Sequence, residues 1–135
     1  QPQWYFLTAG RKDPVLAEMP LPVVVQRNEP VVFHLRAAPT AHHRLEGLLR
    51  FRSKESIADR RIEVHFNGRA LTPLPFVAKP IDHPYDVWLG EPDEVVCFAV
   101  PRELVRRGQN EISFEVKEGI RVPLIYLDLT LPVGE

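Results

Sequence analysis

Wherever this chain is regular, apolar residues fall at every second position, and that period constrains the fold more than any other feature. Successive side chains of an extended strand point to opposite faces, so alternation puts one face on a core and the other in water. In "VVFHLRA", Val31, Phe33 and Leu35 face one way, and His34 and Arg36 the other. In "GLLRFRS", Leu49 and Phe51 alternate with Arg50 and Arg52. The run "RRIEVHF" sets Ile62, Val64 and Phe66 against Arg61, Glu63 and His65, and "NEISFEVK" sets Ile112, Phe114 and Val116 against Glu111, Ser113, Glu115 and Lys117. In "LIYLDLTLP", Ile125, Leu127, Leu129 and Leu131 stand opposite Tyr126, Asp128 and Thr130. Helical periodicity is almost absent. The 14 prolines lie mostly between these runs, where they punctuate strands. Many short alternating strands separated by turn residues predict an all-β fold, an antiparallel β-sandwich.

Two runs, "LPVVVQ" and "EVVCFAV", are apolar on both faces, which predicts strands covered on both sides by other parts of the domain or by a neighbour. The polar faces carry basic residues on some strands and acidic ones on others, a pattern suited to cross-strand charge pairs on a solvated sheet face. Asn67-Gly68 tolerates the positive φ angles of a tight hairpin and marks one after Phe66. The stretch "FAVPRELVRRGQNEISFEV" predicts a short helical turn near residues 101–107 linking two strands. Pro101 suits a first turn, Glu103 the positive helix start, Arg106 and Arg107 its end, and Gly108 the left-handed conformation that terminates it.

The 135 residues suit a single domain, residues 1–135, with one core. With 17 Lys and Arg against 18 Asp and Glu, no net field is available to hold a phosphate backbone, so nucleic acid is not an expected partner. No apolar run approaches the roughly 20 residues that span a bilayer as a helix, and no membrane partner is expected. The first residues, "QPQWYFLTAG", lack the charged start and apolar stretch of a signal peptide, although a removed signal is compatible with them. The single cysteine, Cys97, has no partner for an internal disulfide and reads as a small buried hydrophobe.

Together, "IEVHFNGRAL" and "FAVPRELVRRGQNEISFEV" resemble the galactose-binding-like jelly rolls attached to glycoside hydrolases and other carbohydrate-active enzymes. The matching elements are the hairpin from Val64 to Leu71, the proline-led turn from Val100 to Arg107, and the Gly-x-Asn corner of Gly108, Gln109 and Asn110. The similar segment runs from about Leu45 to Leu131, while residues 1–40 match no part of the pattern and are expected to be extra strands or a linker from a preceding domain. The resemblance implies a jelly-roll sandwich without catalysis of its own. It implies an accessory domain that binds glycan or buttresses a catalytic neighbour, in an extracellular or periplasmic setting. A structural calcium ion is common in such domains, although no run of oxygen ligands identifies its residues here. No other cofactor is implied.

Candidate chemistry outside the resemblance is sparse. His42 and His43 are adjacent, so on an extended chain they point apart, and His34 and His65 fall on polar strand faces. Neither pattern has metal-ligand spacing. No G-x-S-x-G turn or activated cysteine is present, and Asp82 and Asp86 are the only carboxylates suggestive of an acid/base pair, with turn capping the simpler role for both. The loop from Ile81 to Pro92 holds the binding hypothesis. Tyr85 and Trp88 would stack on the apolar face of a sugar ring while Asp82, His83 and Asp86 hydrogen-bond to its hydroxyls. Against this, "DVWLG" alternates like a short strand, which would fold Trp88 inward with Val87 and Leu89 beside it. Trp4 and Tyr5 suit either the chain's own core or a neighbouring domain. The alternative to an accessory domain is a protein–protein interaction or oligomerisation module that buries its apolar strands against a copy of itself.

Overall fold

A computed structural model describes residues 3–8, 21–39, 46–76 and 91–131. Among the described residues, ten strands form two antiparallel sheets: β1 (Gln3–Thr8), β2 (Val23–Val25), β3 (Val31–Ala37), β4 (Gly47–Ser53), β5 (Arg61–Phe66), β6 (Arg69–Ala70), β7 (Thr72–Leu74), β8 (Val95–Val100), β9 (Gly108–Glu118) and β10 (Val122–Leu131). The larger sheet runs β1-β10-β4-β8-β7, with β2 also paired to β10, and the smaller runs β3-β9-β5-β6. Two single 3-10 turns, Pro92–Glu94 and Arg102–Leu104, are the only helical elements among the described residues. The protein is an all-β sandwich, as the alternation predicts.

The core lies between the sheets and consists of the apolar positions of the alternating runs. Phe33 and Leu35 of β3, Val64 and Phe66 of β5, and Ile112, Phe114 and Val116 of β9 meet Leu49 and Phe51 of β4 and Phe98 and Val100 of β8. Phe51 sits at the centre, 4.9 Å from Phe114 across the sandwich and 6.1 Å, edge on, from Phe98 beside it. These separations are those at which aromatic pairs attract beyond simple burial. At the edge of the larger sheet, β7 carries Pro73 opposite Phe98, a position where a missing N–H costs no ladder bond.

Gly47 marks a close approach of two strands. A Cβ there would lie 2.9 Å from Leu131 Cδ2 and 3.2 Å from the Thr130 carbonyl oxygen, and Leu131 is fully buried. Gly47→Ala is therefore expected to destabilise by about 1.5 kcal/mol, the scale of a modest overpacking. A urea titration showing unchanged or raised stability would refute the close contact.

The short helical turn expected near residues 101–107 is present, with its extent corrected, and three further expectations are corrected. The helical turn is three residues long, with Pro101 preceding it as the cap and Arg106 and Arg107 beyond it. It stops early because the Asn110 side chain engages the N–H and the C=O of Arg106. Those are groups a continuing helix would use itself. Gly108 does take positive φ, 95°, but as the first residue of β9.

The second correction concerns β10. A bulge lies between Leu124 and Tyr126, so the strand's parity shifts: Leu124 and Leu127 both face the core, and Ile125, expected there, is only half-buried. A bulge inserts one extra residue against the partner strand and re-aims the side chains around it. Third, the outer face of β10 is not solvated. Asp128 and Thr130 are buried, as is Arg50 beside them on β4, while Val95 and Cys97 of β8 form a small apolar cluster with Leu48 and Tyr126. Finally, of the two apolar runs only β8 is covered on both sides by the chain's own fold, so for β2 the expectation that remains is cover by a neighbour. In β2, Val24 is 46% exposed.

Candidate functional site

A concave apolar surface lies among the described residues, and its shape follows from the bulge in β10. The short strand β2 pairs with Val122–Leu124, just before the bulge, and the Lys54 N–H donates to the Pro123 carbonyl (2.8 Å), tying the turn after β4 to the same place. Between them lies a groove of about 760 Å³. Its walls are Val23, Val24, Pro123 and Ile125, and Lys54 and Arg121 stand at its rim.

The rim's charges are unevenly compensated. Arg60, whose side chain is largely buried, approaches Glu55 at 3.9 Å, pairs with Asp59, and reaches the Arg121 carbonyl oxygen at 3.5 Å. The hydrogen bond from the Arg60 guanidinium holds the Asp59 carboxyl below the usual carboxylate range. Lys54, Glu55 and Arg121 thus put two basic groups and one acidic group on the lining. Aliphatic walls and a charged rim are the character of a packing surface. The lining, which also includes Pro22 and Glu55, has no aromatic ring to stack on a sugar.

The outer face of the smaller sheet is a second, polar surface. Glu63 and Glu115 stand directly opposite each other on β5 and β9, a like-charge pairing that Lys117 relieves by approaching Glu115 at 3.2 Å and Glu63 at 4.0 Å. His65 Nε2 lies 3.4 Å from Glu63, and Arg61 pairs with Glu118 at 3.4 Å. Arg61–Glu118 and Lys117–Glu63 are the cross-strand charge pairs expected of a solvated sheet, whereas Lys117–Glu115 and His65–Glu63 each lie along one strand, and such exposed pairs contribute little stability each. His34 and His65 lie on β3 and β5 with β9 between them, and no group of three His, Cys, Asp or Glu among the described residues is placed to hold a metal ion.

The third polar cluster is buried. Arg50 Nε donates to Asp128 Oδ1 at 3.0 Å and its terminal nitrogen to Oδ2 at 2.6 Å, a two-point contact, and the Tyr126 hydroxyl donates to Oδ2 at 2.9 Å. Arg50 and Asp128 are 1% and 0% exposed. Sequence reasoning missed this cluster. The residues were legible as the polar positions of two strands, but nothing in the alternation says which polar face will be covered.

The residues proposed from sequence for glycan contact, Asp82, His83, Tyr85, Asp86 and Trp88, lie outside the described residues, as do His42 and His43. Trp4 and Tyr5 are in β1, paired with Thr130 and Leu129, and their side chains lie outside the description. Cys97 is buried, as expected.

No protein-family model matches the chain, and no curated protein matches it. Among solved structures, it is similar to glycoside hydrolase family 86 chains. One is the crystal structure of BuGH86wt in complex with neoagarooctaose, with a TM-score of 0.51 and 14% identity over 96% of this chain and 19% of that one. A BuGH86 variant in complex with the same sugar gives a TM-score of 0.53 and 16% identity over 96% of this chain and 18% of that one. At such identity the likeness is one of fold. The chain spans less than a fifth of the length of these neighbours.

Proposed function

We propose that this chain is a non-catalytic accessory domain of a carbohydrate-active enzyme, a jelly roll of the galactose-binding-like kind that packs against a neighbouring catalytic domain of the same polypeptide. One observation carries the reading: nearly the whole chain, 96%, superposes on a segment that makes up only 18–19% of glycoside hydrolase chains. That a sandwich of this size matches a small part of a much larger enzyme supports an accessory role for this chain, a reading that rests on fold analogy. The aliphatic groove between β2 and the bulge of β10 supports packing over sugar recognition. Val23, Val24, Pro123 and Ile125 offer no flat ring to the C–H groups of a pyranose.

Glycan binding is the second reading, favoured by the neoagarooctaose present in the crystal structures of both neighbours. On this chain the sugar platform would be Tyr85 and Trp88, with Asp82, His83 and Asp86 supplying hydrogen bonds. The two readings separate in one experiment. The purified chain is applied to a glycan array that includes neoagaro-oligosaccharides, beside Tyr85→Ala and Trp88→Ala variants verified as folded by circular dichroism. The packing reading expects no retained glycan and no hydrolysis. Binding lost in a folded variant would instead establish the sugar platform, and release of reducing sugar by the isolated chain would overturn the non-catalytic assignment. Light scattering on the same sample tests self-association, since a stable dimer would make the groove's partner a second copy.

A further inference from the structure

We draw no further inference here: the strongest candidate, the aliphatic groove between β2 and the bulge of β10, belongs to the site already described, and nothing further in the structure shows what covers it.

Discussion

Asp128→Ala is expected to lower the unfolding free energy by about 4 kcal/mol, because it removes from the interior the carboxylate that takes two hydrogen bonds from the Arg50 guanidinium, itself 1% exposed. A domain of this size is typically stable by roughly 5–15 kcal/mol, so the variant would stay folded with a margin reduced to about 1–11 kcal/mol. The loss comes from removing charge-assisted hydrogen bonds in the interior rather than from a large net gain in the intact pair. The double variant Arg50→Met/Asp128→Leu, which removes both charges of the pair, should therefore recover part of it. Tyr126→Phe, which removes a single hydrogen bond to Asp128 Oδ2, should cost only about 1 kcal/mol. Urea denaturation of the four proteins decides the matter. A single Asp128→Ala cost below 1 kcal/mol, or a double variant as unstable as the single, would show that the pair is not the buried unit described.

Asn110→Ala is expected to cost about 3 kcal/mol and to loosen the corner between the sheets. The Asn110 amide nitrogen donates to the carbonyls of Leu35 (3.3 Å), Arg106 (3.0 Å) and Gly108 (3.1 Å). Its oxygen accepts from the Arg106 N–H (2.8 Å) and the Asn67 side chain (3.0 Å). Asn110 is fully buried, so truncation leaves several of these groups with neither protein nor free water to pair with, at about 1–3 kcal/mol for each one left unsatisfied before relaxation. Asn110→Asp should be at least as harmful, since a carboxylate would face three carbonyl oxygens.

Asn67 reaches the same corner from the hairpin, donating to the Leu104 carbonyl (2.7 Å) and accepting from the Glu111 N–H (2.9 Å). Asn67→Gly keeps a residue tolerant of the observed φ of 50° while removing those contacts. A double-mutant cycle of Asn67→Gly with Asn110→Ala should then show a coupling of about 1 kcal/mol. Independent, additive effects would mean that the two motifs do not hold each other.

That cycle also explains why the two most legible stretches of the chain belong together. "FNGR" reads as a hairpin because Asn and Gly tolerate positive φ, and both residues adopt it, at 50° and 87°. "GQN" reads as a corner because Gly108 does the same. Neither stretch announces that the Asn side chain of one hydrogen-bonds to the Asn side chain of the other across 43 positions of sequence. Local chemistry sets the turns, while the contact between them exists only once β5 and β9 lie side by side.

The candidate site divides the same way. An exposed valine such as Val24 is indistinguishable in sequence from its buried neighbour Val25, because both sit in one apolar run; only the pairing of β2 with β10 turns one outward. Ile125 looked like a core residue by alternation, and the extra residue of the bulge moved it to the groove wall. Buried Arg50 and Asp128 looked solvated for the complementary reason: period two sorts residues into two faces but does not say whether the second face meets water.

The sequence by itself determined the secondary-structure class, the inward face of β3, β4, β5 and β9, the Asn-Gly hairpin and the sheet-crossing turn. Those features follow from chain geometry, from the transfer of apolar side chains out of water and from the φ preferences of single residues, all of which act locally. The tertiary structure alone decided the strand order, the parity shift in β10, the buried Arg50–Asp128 pair and the groove beside β2. Each of these depends on which strand becomes whose neighbour, and that choice is made by packing among residues far apart in the chain.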